Sequence, residues 1–504
     1  MLGSKSIITY ILLIAINSAL ISQDKSGYNW VYGENTSSDP GLEGIVMSFN
    51  NDSVTYTVED FEDGVKANVS VISDPDGNLL FYATGCRVYN KDFQIMTNGD
   101  SLNYGVIWDE FCNGGFYPML QSTLILPDYH VSDQYYLFHK KEDFDTITNE
   151  FATKKLLYSI IDMSADGGRG AIVEKGIVLD TSNYFITSTI EAVKHENKLD
   201  WWILQLSDRS DSIRTYLVDE LGPRKSRKQY INTNIPVERC GSTSQSCFDL
   251  RGRQYAIYCP SYGLDVYNFE RSTGVLSNHK HLAQTQSQGT FSGLAWSPSG
   301  QYLYISASDT LWQVDTHAEN LQDGLELIAE YDGFASPFAV NFVKMQIGPN
   351  CKIYVSSQSS VQHFSVINSP DEKGQDCDFV QHGIELPYIV PPVPLPNVPN
   401  FAIDEEEVCD PTITSVFDIP VTVQTDQIKI APNPTNGMTT VHFTEKSTGH
   451  YSLFDHSGQL ITSDVFGESQ SLALDLSTFH DGLYYIRICD EHNGCVTEKL
   501  VVVD

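Results

Sequence analysis

Ser297-Pro-Ser-Gly-Gln-Tyr-Leu-Tyr-Ile-Ser306 reads as a turn followed directly by a strand. Proline presets the first dihedral of a turn and glycine accepts a positive φ, so the first four residues have the chemistry of a hairpin turn. The aromatic and β-branched residues that follow are the types favoured in strands. The stretch therefore predicts a tight turn that leads into a β-strand.

The same signal recurs along the chain. Its copies begin at positions 74, 132, 195, 248, 297 and 348, at intervals of 49 to 63 residues, and two further clear ones are Asp74-Pro-Asp-Gly-Asn-Leu-Leu-Phe-Tyr82 and Gly348-Pro-Asn-Cys-Lys-Ile-Tyr-Val-Ser356. This period is typical of a β-propeller in which each repeat is one four-stranded blade. At a mean interval of about 55 residues, positions 25–405 hold about seven blades. A β-solenoid would need shorter repeats, and a pair of β-sandwiches would not need a repeated turn.

Composition favours strands and excludes one class of partner. The chain has 504 residues, of which 27 are Tyr, 24 are Phe and 19% are charged. Aromatic residues are enriched in strands, which favours an all-β protein. The net charge of −34 argues against a nucleic-acid partner, because nucleic-acid binding needs a basic surface. The one basic cluster, Arg224-Lys-Ser-Arg-Lys228, follows a Gly-Pro turn and is predicted to be a solvated loop.

Residues 1–22 have the pattern of a signal peptide. Lys5 supplies the positive start, residues 7–16 are mainly apolar, and the small residues Ser18, Ala19 and Ser22 follow. The apolar run is too short to span a bilayer comfortably, and no later stretch is apolar enough to do so. We therefore expect export to the periplasm and no transmembrane helix in the mature chain.

Ten cysteines fit an exported protein, because oxidising compartments allow disulfides. Cys489 and Cys495 flank a predicted hairpin turn and are expected to pair across it. Two further pairs are expected, Cys351 with Cys377 and Cys86 with Cys112. No Cys-x-x-Cys pair or zinc-finger spacing occurs, so neither a metal site nor a cofactor is predicted.

The composition changes after the repeats. Pro391-Pro-Val-Pro-Leu-Pro396 and the acidic Glu405-Glu-Glu407 are unsuited to a central sheet and predict the exit from the propeller. We assign residues 25–405 to the propeller, 406–427 to a linker and 428–504 to a second domain. The second domain has short strand patterns divided by turns, which predict a small β-sandwich.

This last segment resembles the C-terminal sorting domain of the Bacteroidetes type IX secretion system. The resemblance rests on Pro432-Asn-Pro-Thr-Asn-Gly437, Tyr451-Ser-Leu-Phe-Asp-His-Ser-Gly-Gln-Leu460, Leu474-Asp-Leu-Ser477, Asp481-Gly-Leu-Tyr-Tyr-Ile486 and Lys499-Leu-Val-Val502. It implies recognition by the type IX machinery, passage across the outer membrane, and release or lipopolysaccharide anchoring of the rest. The sorting motif that it implies comprises Pro432, Asn433, Pro434, Gly437, Gly458, Gly482, Tyr484 and Lys499.

The larger region resembles an uncharacterised family of secreted Bacteroidetes propellers that carry such tails. The matching stretches include Asn29-Trp-Val-Tyr-Gly33, Val88-Tyr-Asn90, Leu157-Tyr-Ser-Ile-Ile-Asp-Met163, Val366-Ile-Asn-Ser-Pro370 and Leu395-Pro-Asn-Val-Pro-Asn400. This resemblance implies architecture rather than activity.

The sequence contains no local catalytic fingerprint. No Gly-x-Ser-x-Gly elbow is present, and His139, His195 and His363 are scattered and are interpreted as polar strand or loop residues. Asp74, Asp76 and Asn78 alternate like the start of a calcium loop, but Gly85 stands where the loop needs a bidentate Glu. A hairpin turn is therefore the interpretation, and no catalytic residue is assigned.

A propeller offers a rigid ring with loops on two faces, which suits binding without chemistry. The favoured function is an exported scaffold, secreted or displayed on the cell surface, that binds an extracellular protein or glycan. The alternative is a hydrolase or lyase acting on extracellular polysaccharide or peptide, which needs two carboxylates or a charged His cluster at the channel mouth. For the ring itself, residues 28–32 are expected to pair with the strand near residues 361–368.

Overall fold

Each of the six repeated turns joins the first two strands of one β-sheet in the computed structural model. Together with a sheet at the start of the chain, these sheets form a seven-bladed β-propeller. The chain divides into two compact units, Met1–Phe417 and Asp418–Asp504. The structure describes residues 23–34, 43–49, 53–112, 116–146, 149–182, 185–207, 212–230, 240, 243–283, 291–403, 409, 417–418, 428–455, 460–490 and 494–503.

The blades follow one another in chain order, and within each the strands are antiparallel neighbours. Blade 1 contains β1 (Asn29–Gly33), β2 (Gly44–Ser48) and β3 (Val54–Glu59), with β27 (Phe417–Asp418) beside β3; blade 2 contains β4 (Val69–Ser73), β5 (Leu79–Thr84) and β6 (Val88–Asn90). Blade 3 contains β7 (Thr123–Pro127), β8 (Gln134–Asp145), β9 (Glu150–Asp162) and β10 (Ala171–Thr181); blade 4 contains β11 (Glu191–Lys194), β12 (Trp201–Leu206), β13 (Ser212–Asp219) and β14 (Gly222–Tyr230).

The last three blades have four strands each. Blade 5 contains β15 (Gln245–Phe248), β16 (Gln254–Cys259), β17 (Gly263–Glu270) and β18 (Val275–Ala283); blade 6 contains β19 (Ser292–Trp296), β20 (Tyr302–Ala307), β21 (Thr310–Asp315) and β22 (Leu325–Glu330); blade 7 contains β23 (Met345–Ile347), β24 (Ile353–Val355), β25 (Val361–Ile367) and β26 (Phe379–Val390). One short helix, α1 (Val106–Phe111), lies between blades 2 and 3.

Apolar side chains on facing sheets hold neighbouring blades together. Trp201 and Trp202 on β12 point to opposite faces, as adjacent strand residues must. Trp201 joins the cluster shared with blade 3 and Trp202 the cluster shared with blade 5, and both are buried. The alternation therefore lets one strand supply a large aromatic ring to each of two inter-blade cores.

Blade 1 begins at the position that the second strand has in the other blades. The turn Asp24-Lys-Ser-Gly27 precedes β1 and repeats the pattern of Ser297-Pro-Ser-Gly300. The N–H of Tyr28 donates to the Lys25 carbonyl over 3.1 Å, one residue later in the turn than the bond from the Gly300 N–H to the Ser297 carbonyl, which is 2.9 Å long. Among the described residues, β1 forms a regular ladder with β2 alone, and its last residue, Gly33, also bridges to Val65. Within the part of the chain that the structure describes, blade 1 therefore has no regular innermost strand.

The Pro-rich stretch takes the place of that missing strand. The Asn397 N–H donates to the Val69 carbonyl of β4 over 2.7 Å, and the Gln346 amide of β23 reaches the Val398 carbonyl at 3.5 Å. Val398 also packs against the cores on both sides of blade 1. The innermost position between blades 7 and 2 is thus filled by a segment that lies about 370 residues after β1 in the sequence. The prediction that residues 391–396 form the exit from the propeller is therefore incomplete, because the Pro-rich stretch leads into a segment that is part of the ring.

The predicted pairing of residues 28–32 with residues 361–368 is wrong. The strand β1 forms, but β25 pairs with β24 and β26. The two regions meet through side chains instead: the Tyr32 and Phe364 rings are 5.7 Å apart, and the Trp30 and Tyr354 rings are 5.2 Å apart. Propeller blades pack face to face, so blades 1 and 7 meet through these ring contacts and not through a ladder between β1 and β25.

Three disulfides lie within the described residues. Cys86 is bonded to Cys112, as expected from the sequence. Cys351 is bonded to Cys409 rather than to Cys377, which is a buried free thiol near Tyr304. The third bond joins Cys240 and Cys259 and was not predicted. Cys489 and Cys495 face each other in the register of β31 and β32, but their side chains lie outside the described residues.

The basic cluster at residues 224–228 is not a loop. It forms the exposed outermost strand β14 of blade 4. Arg224 pairs with Asp219, and Lys225 with the buried Asp180. Charged side chains on an edge strand oppose pairing with another sheet, which explains why this strand pattern lacks the apolar alternation of a core strand.

The second unit is one five-stranded sheet that curls around its own core. Its strands are β28 (Ile428–Ala431), β29 (Met438–Asp455), β30 (Leu460–Asp475), β31 (Gly482–Asp490) and β32 (Gly494–Val502). Strands β29 and β30 are long enough to pair with each other in both halves of the sheet. Val441, Leu453, Ile486 and Leu500 lie in the buried core between the halves. The small sandwich predicted from the sequence is thus built from a single bent sheet. No helix among the described residues of either unit is long and apolar enough to cross a membrane.

Asn397 provides a direct test of ring closure. We expect Asn397→Ala to lower the free energy of unfolding by about 2–5 kcal/mol, because two buried carbonyls lose their donor. These are the Thr123 and Ile190 carbonyls, which accept from the Asn397 amide over 2.9 and 3.0 Å. Urea unfolding is the measurement, and Asn320→Ala, in an exposed turn, is the control. Equal stability of the two variants would contradict closure by this segment.

Candidate functional site

The centre of the propeller is occupied by residues 393–403, which we name the channel segment. Val393 packs with Leu120 and Val343, which precede the inner strands β7 and β23. At the other end, the Phe401 carbonyl accepts from Lys194, the last residue of β11. The segment therefore runs through the ring from the upper mouth, where the inner strands begin, to the lower mouth, where they end.

A layer of buried polar side chains surrounds the middle of the channel segment. The Gln121 amide donates to the Glu191 carboxylate, to the Ser246 carbonyl over 2.8 Å and to Asn397 Oδ1 over 3.2 Å. The Gln121 oxygen accepts from the Ser246 N–H over 3.1 Å. Residues from blades 3, 4 and 5 are thereby connected to the channel segment. Because buried polar groups are costly when unpaired, this network fixes the path of the segment.

Two buried lysines bind the channel segment through its carbonyls. The Lys344 ammonium donates to the Leu395 carbonyl over 2.8 Å, and the Lys194 ammonium to the Phe401 carbonyl over 2.7 Å. Burial raises the pKa of Glu191 to about 8 and lowers the pKa of Lys344 to about 7, and the charge of each residue reduces the shift of the other. Such shifts are common at active sites, but here the two groups lie beneath the channel segment and serve its anchoring.

A small cavity remains beside the channel segment toward the lower mouth. Its volume is about 110 Å³, and its walls include Tyr28, Trp30, Phe248 and Trp296. Sites for drug-sized ligands have volumes of roughly 300–1,000 Å³. The cavity is therefore too small to hold an oligosaccharide or a peptide without displacement of the channel segment.

Three carboxylates line this cavity, and each accepts hydrogen bonds from nearby protein groups. Asp24 accepts from the Ser26 N–H and hydroxyl at 3.1 and 2.6 Å. Asp249 accepts from the N–H groups of Arg253 and Gln254 at 2.6 and 2.7 Å, and burial raises its pKa. Glu191 accepts from Gln121. These contacts stabilise turns and the channel network, and no catalytic role follows from them.

The three histidines considered from the sequence lie far apart in the fold. His139 is fully buried on β8, where Nδ1 is 2.7 Å from Asn103 Oδ1 and Nε2 is 3.1 Å from Ser159 Oγ. His195 packs against Trp202, and His363 against Phe334. The structure does not bring them together, in agreement with their reading as polar strand or turn residues. Asp74 likewise forms a hairpin turn, in which it accepts from the N–H groups of Asp76 and Asn78.

The upper face carries exposed aromatic side chains. Strands β8 and β9 have 12 and 13 residues, so their hairpin extends beyond the other blades on this face. Phe144 and Phe151 lie near its tip, are 42% and 45% exposed, and have ring centroids 5.3 Å apart. Tyr104, beside α1, and Phe338, in the segment that leads to β23, are 61% and 59% exposed. Exposed aromatic residues are enriched at recognition surfaces.

Sequence reasoning missed one group of possible metal ligands. Within the described part of the chain, Asp265, His279 and His281 place one ligand atom each within 4.8 Å of one another. The available sequence signal was His279-Lys-His281, because two residues separated by one lie on the same face of a strand. The third member comes from a different strand and leaves no local pattern.

In the second unit, the two ends of the implied sorting motif lie side by side. The Asn433 amide donates to the Lys499 carbonyl over 2.6 Å, and Asn433 Oδ1 accepts from the Val501 N–H over 2.9 Å. Thr435 continues this contact with a hydrogen bond to the Val501 carbonyl. Gly437 has a φ of +135°, which favours glycine there.

The remaining motif residues are more dispersed. Pro432 accepts from the Thr439 hydroxyl through its carbonyl, and Pro434 lies between Asn433 and Thr435 in the same opening. Tyr484, two residues after Gly482, donates through its hydroxyl to the His480 carbonyl over 2.8 Å. Gly458 lies outside the described residues.

These two units define an exported seven-bladed propeller with a sorting tail. Residues 429–503 match the family described as "Secretion system C-terminal sorting domain", so the second unit is a type IX secretion tail. The tail directs the protein out of the cell or to its surface. A search of curated proteins finds no match to the chain.

The chain has distant similarity to solved structures. A protein from Lactobacillus plantarum is 13% identical over 72% of this chain and 98% of its own, with a TM-score of 0.40. A putative 6-phosphogluconolactonase from Bacteroides uniformis is 13% identical over 74% and 98%, with a TM-score of 0.39. Similarity at this level assigns no activity to the present chain.

The burial of His139 predicts a defined acid sensitivity. Desolvation lowers its pKa from 6.5 to about 3, with a smaller contribution from the charge of Lys175. Between these pH values the unfolded chain binds a proton that the folded chain does not, so stability falls as pH decreases from 6.5 toward 3. The contribution to the slope is at most one proton, or about 1.4 kcal/mol per pH unit.

We expect His139→Gln to flatten this slope, because glutamine does not titrate. The measurement is urea unfolding at a series of pH values between 4 and 7, with the exposed His317→Gln as the control. If His139→Gln and the parent protein lose stability in parallel over this range, His139 is not the responsible group.

Proposed function

We propose that the protein is a non-enzymatic propeller that binds an extracellular protein or glycan with its upper face. The carrying observation is the group of exposed aromatic side chains on that face, together with a channel filled by the protein's own chain. Propeller ligands commonly bind to a face of the ring or in the central channel. In this protein the channel segment already fills the central channel. The upper face is therefore the favoured binding surface.

The aromatic tip of the β8–β9 hairpin is suited to this role. Its two rings are already in contact, so little side-chain freedom is lost when a ligand packs against them. Flat apolar rings can cover the C–H face of a sugar or insert between side chains of a protein. Tyr104 lies in the segment beside the end of β8, where a Cβ on the neighbouring Gly105 would meet the Lys141 side chain, and it can extend the same surface.

The second part of the proposal concerns recognition of the tail. We assign recognition by the type IX machinery to the joined edge formed by residues 432–437 and 499–503. The two stretches are distant in sequence but are connected by the Asn433 hydrogen bonds to Lys499 and Val501. A receptor could then read both stretches at once, and only in the folded tail.

The binding surface can be tested by substitution of the hairpin tip. We expect Phe144→Ser combined with Phe151→Ser to weaken binding to the surface of producing or neighbouring cells, or to a glycan array, by at least about tenfold. Leu221→Ser is the control, because Leu221 is 78% exposed in the turn between β13 and β14, on the lower face. Equal loss in both variants, or no loss in either, would contradict the assignment of the upper face.

The hydrolase alternative is tested with the same purified protein. We expect no turnover of extracellular polysaccharides or peptides. Turnover that Asp249→Asn abolishes would replace the binding function with an enzymatic one at the lower mouth. Asp323→Asn, on an exposed turn of blade 6, controls for the loss of a carboxylate elsewhere.

Deletion of residues 428–504 tests the tail. We expect the propeller to fold and to remain in the periplasm, because each unit has its own apolar core. Fractionation of a host with the type IX system gives the location, and thermal unfolding of the truncated protein gives its folded state. Efficient arrival of the truncated form in the medium or at the cell surface would contradict the sorting function.

A single substitution tests whether the joined edge, and not the rest of the tail, is recognised. Asn433→Ala should reduce export, because it breaks the connection to Lys499 and Val501. Lys446→Ala, exposed on β29, should leave export unchanged. Normal export of Asn433→Ala, with the tail folded, would show that the joined edge is not what the machinery reads.

A further inference from the structure

Three side chains of blade 5 converge on one point between its two outer strands. Asp265 lies on β17, and His279 and His281 lie on β18. A single oxygen, Asp265 Oδ1, is 2.8 Å from His279 Nε2 and 2.9 Å from His281 Nδ1. Two imidazoles are thus directed at the same carboxylate oxygen.

The backbone explains how the three groups meet. Asp265 and His281 are directly opposite each other in the β17–β18 register. A bulge follows, so that Asn278 and His279 together face Tyr267, and Asn278 has a φ of +50°. A bulge of this kind re-aims the side chains beside it, and such features occur often next to functional sites. The hairpin therefore positions both histidines on the face that carries Asp265.

Neighbouring tyrosines restrict the imidazole rings. Tyr267 stacks on His279 with ring centroids 4.8 Å apart, and Tyr262 lies 4.6 Å from the His281 ring. Asp265 is buried at 1% exposure, whereas His279 and His281 are 22% and 33% exposed. The group is therefore closed on the protein side and open on the solvent side.

We propose that Asp265, His279 and His281 bind a divalent transition metal ion, of which Zn²⁺ is the representative. Imidazole nitrogen and carboxylate oxygen are ligands of Zn²⁺, with bond lengths of about 2.0–2.2 Å. Tetrahedral ligands at that distance lie about 3.3 Å apart, so the imidazole nitrogens need to withdraw from the carboxylate oxygen by only about 0.5 Å. A water molecule would take the fourth position on the solvent side.

The ion would link the two outermost strands of the blade. Strand β18 is an edge strand, paired only with β17 among the described residues. Three bonds to a metal at the bulge would hold this edge where the regular ladder is interrupted. The site is independent of the upper face and of the tail, so its presence does not depend on the proposed binding function.

The test uses the purified mature chain, stripped of metal with a chelator, and Zn²⁺ as the probe. Isothermal titration calorimetry should show one equivalent bound at this site, and thermal unfolding should show a higher Tm with Zn²⁺ than without it. Co²⁺ should give the visible absorption of a tetrahedral nitrogen and oxygen site. Binding should weaken by more than about 100-fold in His279→Ala, His281→Ala and Asp265→Asn.

The matched control is His382→Ala. His382 forms an exposed pair with Asp332 at 3.1 Å, and this pair lacks the second histidine at the same oxygen. Its Zn²⁺ affinity should equal that of the parent protein. The Co²⁺ spectrum is measured on the parent protein, so it tests the site even if a variant fails to fold. Absence of that spectrum, or Zn²⁺ binding that is equal in the parent and the folded His281→Ala protein, would overturn the proposal and leave the histidines as hydrogen-bond partners of a buried carboxylate.

Discussion

The contact between Asn397 and the surrounding inner strands is the constraint on which the propeller depends. A ring of seven blades needs an innermost segment in every blade, and the described strands of blade 1 begin at the second position from the channel. The backbone of Asn397 bonds to β4, and its side chain bonds to carbonyls beside β7 and β11. One residue therefore connects three blades. The ring is closed by non-covalent contacts between chain segments that are about 370 residues apart, and the entropy of this closure must be offset by burial and by these hydrogen bonds.

Filling the channel also determines where recognition can occur. In this propeller the buried titratable side chains Glu191 and Lys344 face a segment of the same chain and not a solvent-filled opening. A ligand that entered the channel would have to displace carbonyls bound by two lysines and a polar network of glutamine and asparagine. A ligand that binds to the loops and hairpins of either face does not have to displace the channel segment. Exposure of Phe144, Phe151, Tyr104 and Phe338 on the upper face then has a simple reading, since large exposed aromatic residues otherwise carry a penalty in water.

The sequence predicted those features that repeat and missed those that depend on one distant contact. The turn at Ser297 and its copies predicted seven blades, because each turn needs the same residues wherever it occurs. The Pro-rich stretch was read as an exit since proline cannot join a hydrogen-bonded ladder, but the channel segment needs only a few backbone bonds and a good fit. Cys409 was not chosen as the partner of Cys351, because nothing local places a residue after the channel segment next to blade 7. The Asp265 cluster was missed for the same reason, as its members lie on two strands joined by a bulge.

Closure of the ring and the edge that we propose for sorting depend on the same kind of contact in the two units. In the propeller, residues 393–403 complete a blade that residues 24–59 began. In the tail, residues 499–503 complete an edge that residues 432–437 began, and Asn433 makes the connection as Asn397 does in the ring. In both cases an asparagine amide, with one donor and one acceptor side, joins two backbones that run without a regular ladder between them. Each unit therefore attains its complete surface only when its first and last segments have met. A receptor that binds such a surface would recognise only the folded unit, whereas a linear stretch of sequence is present before folding.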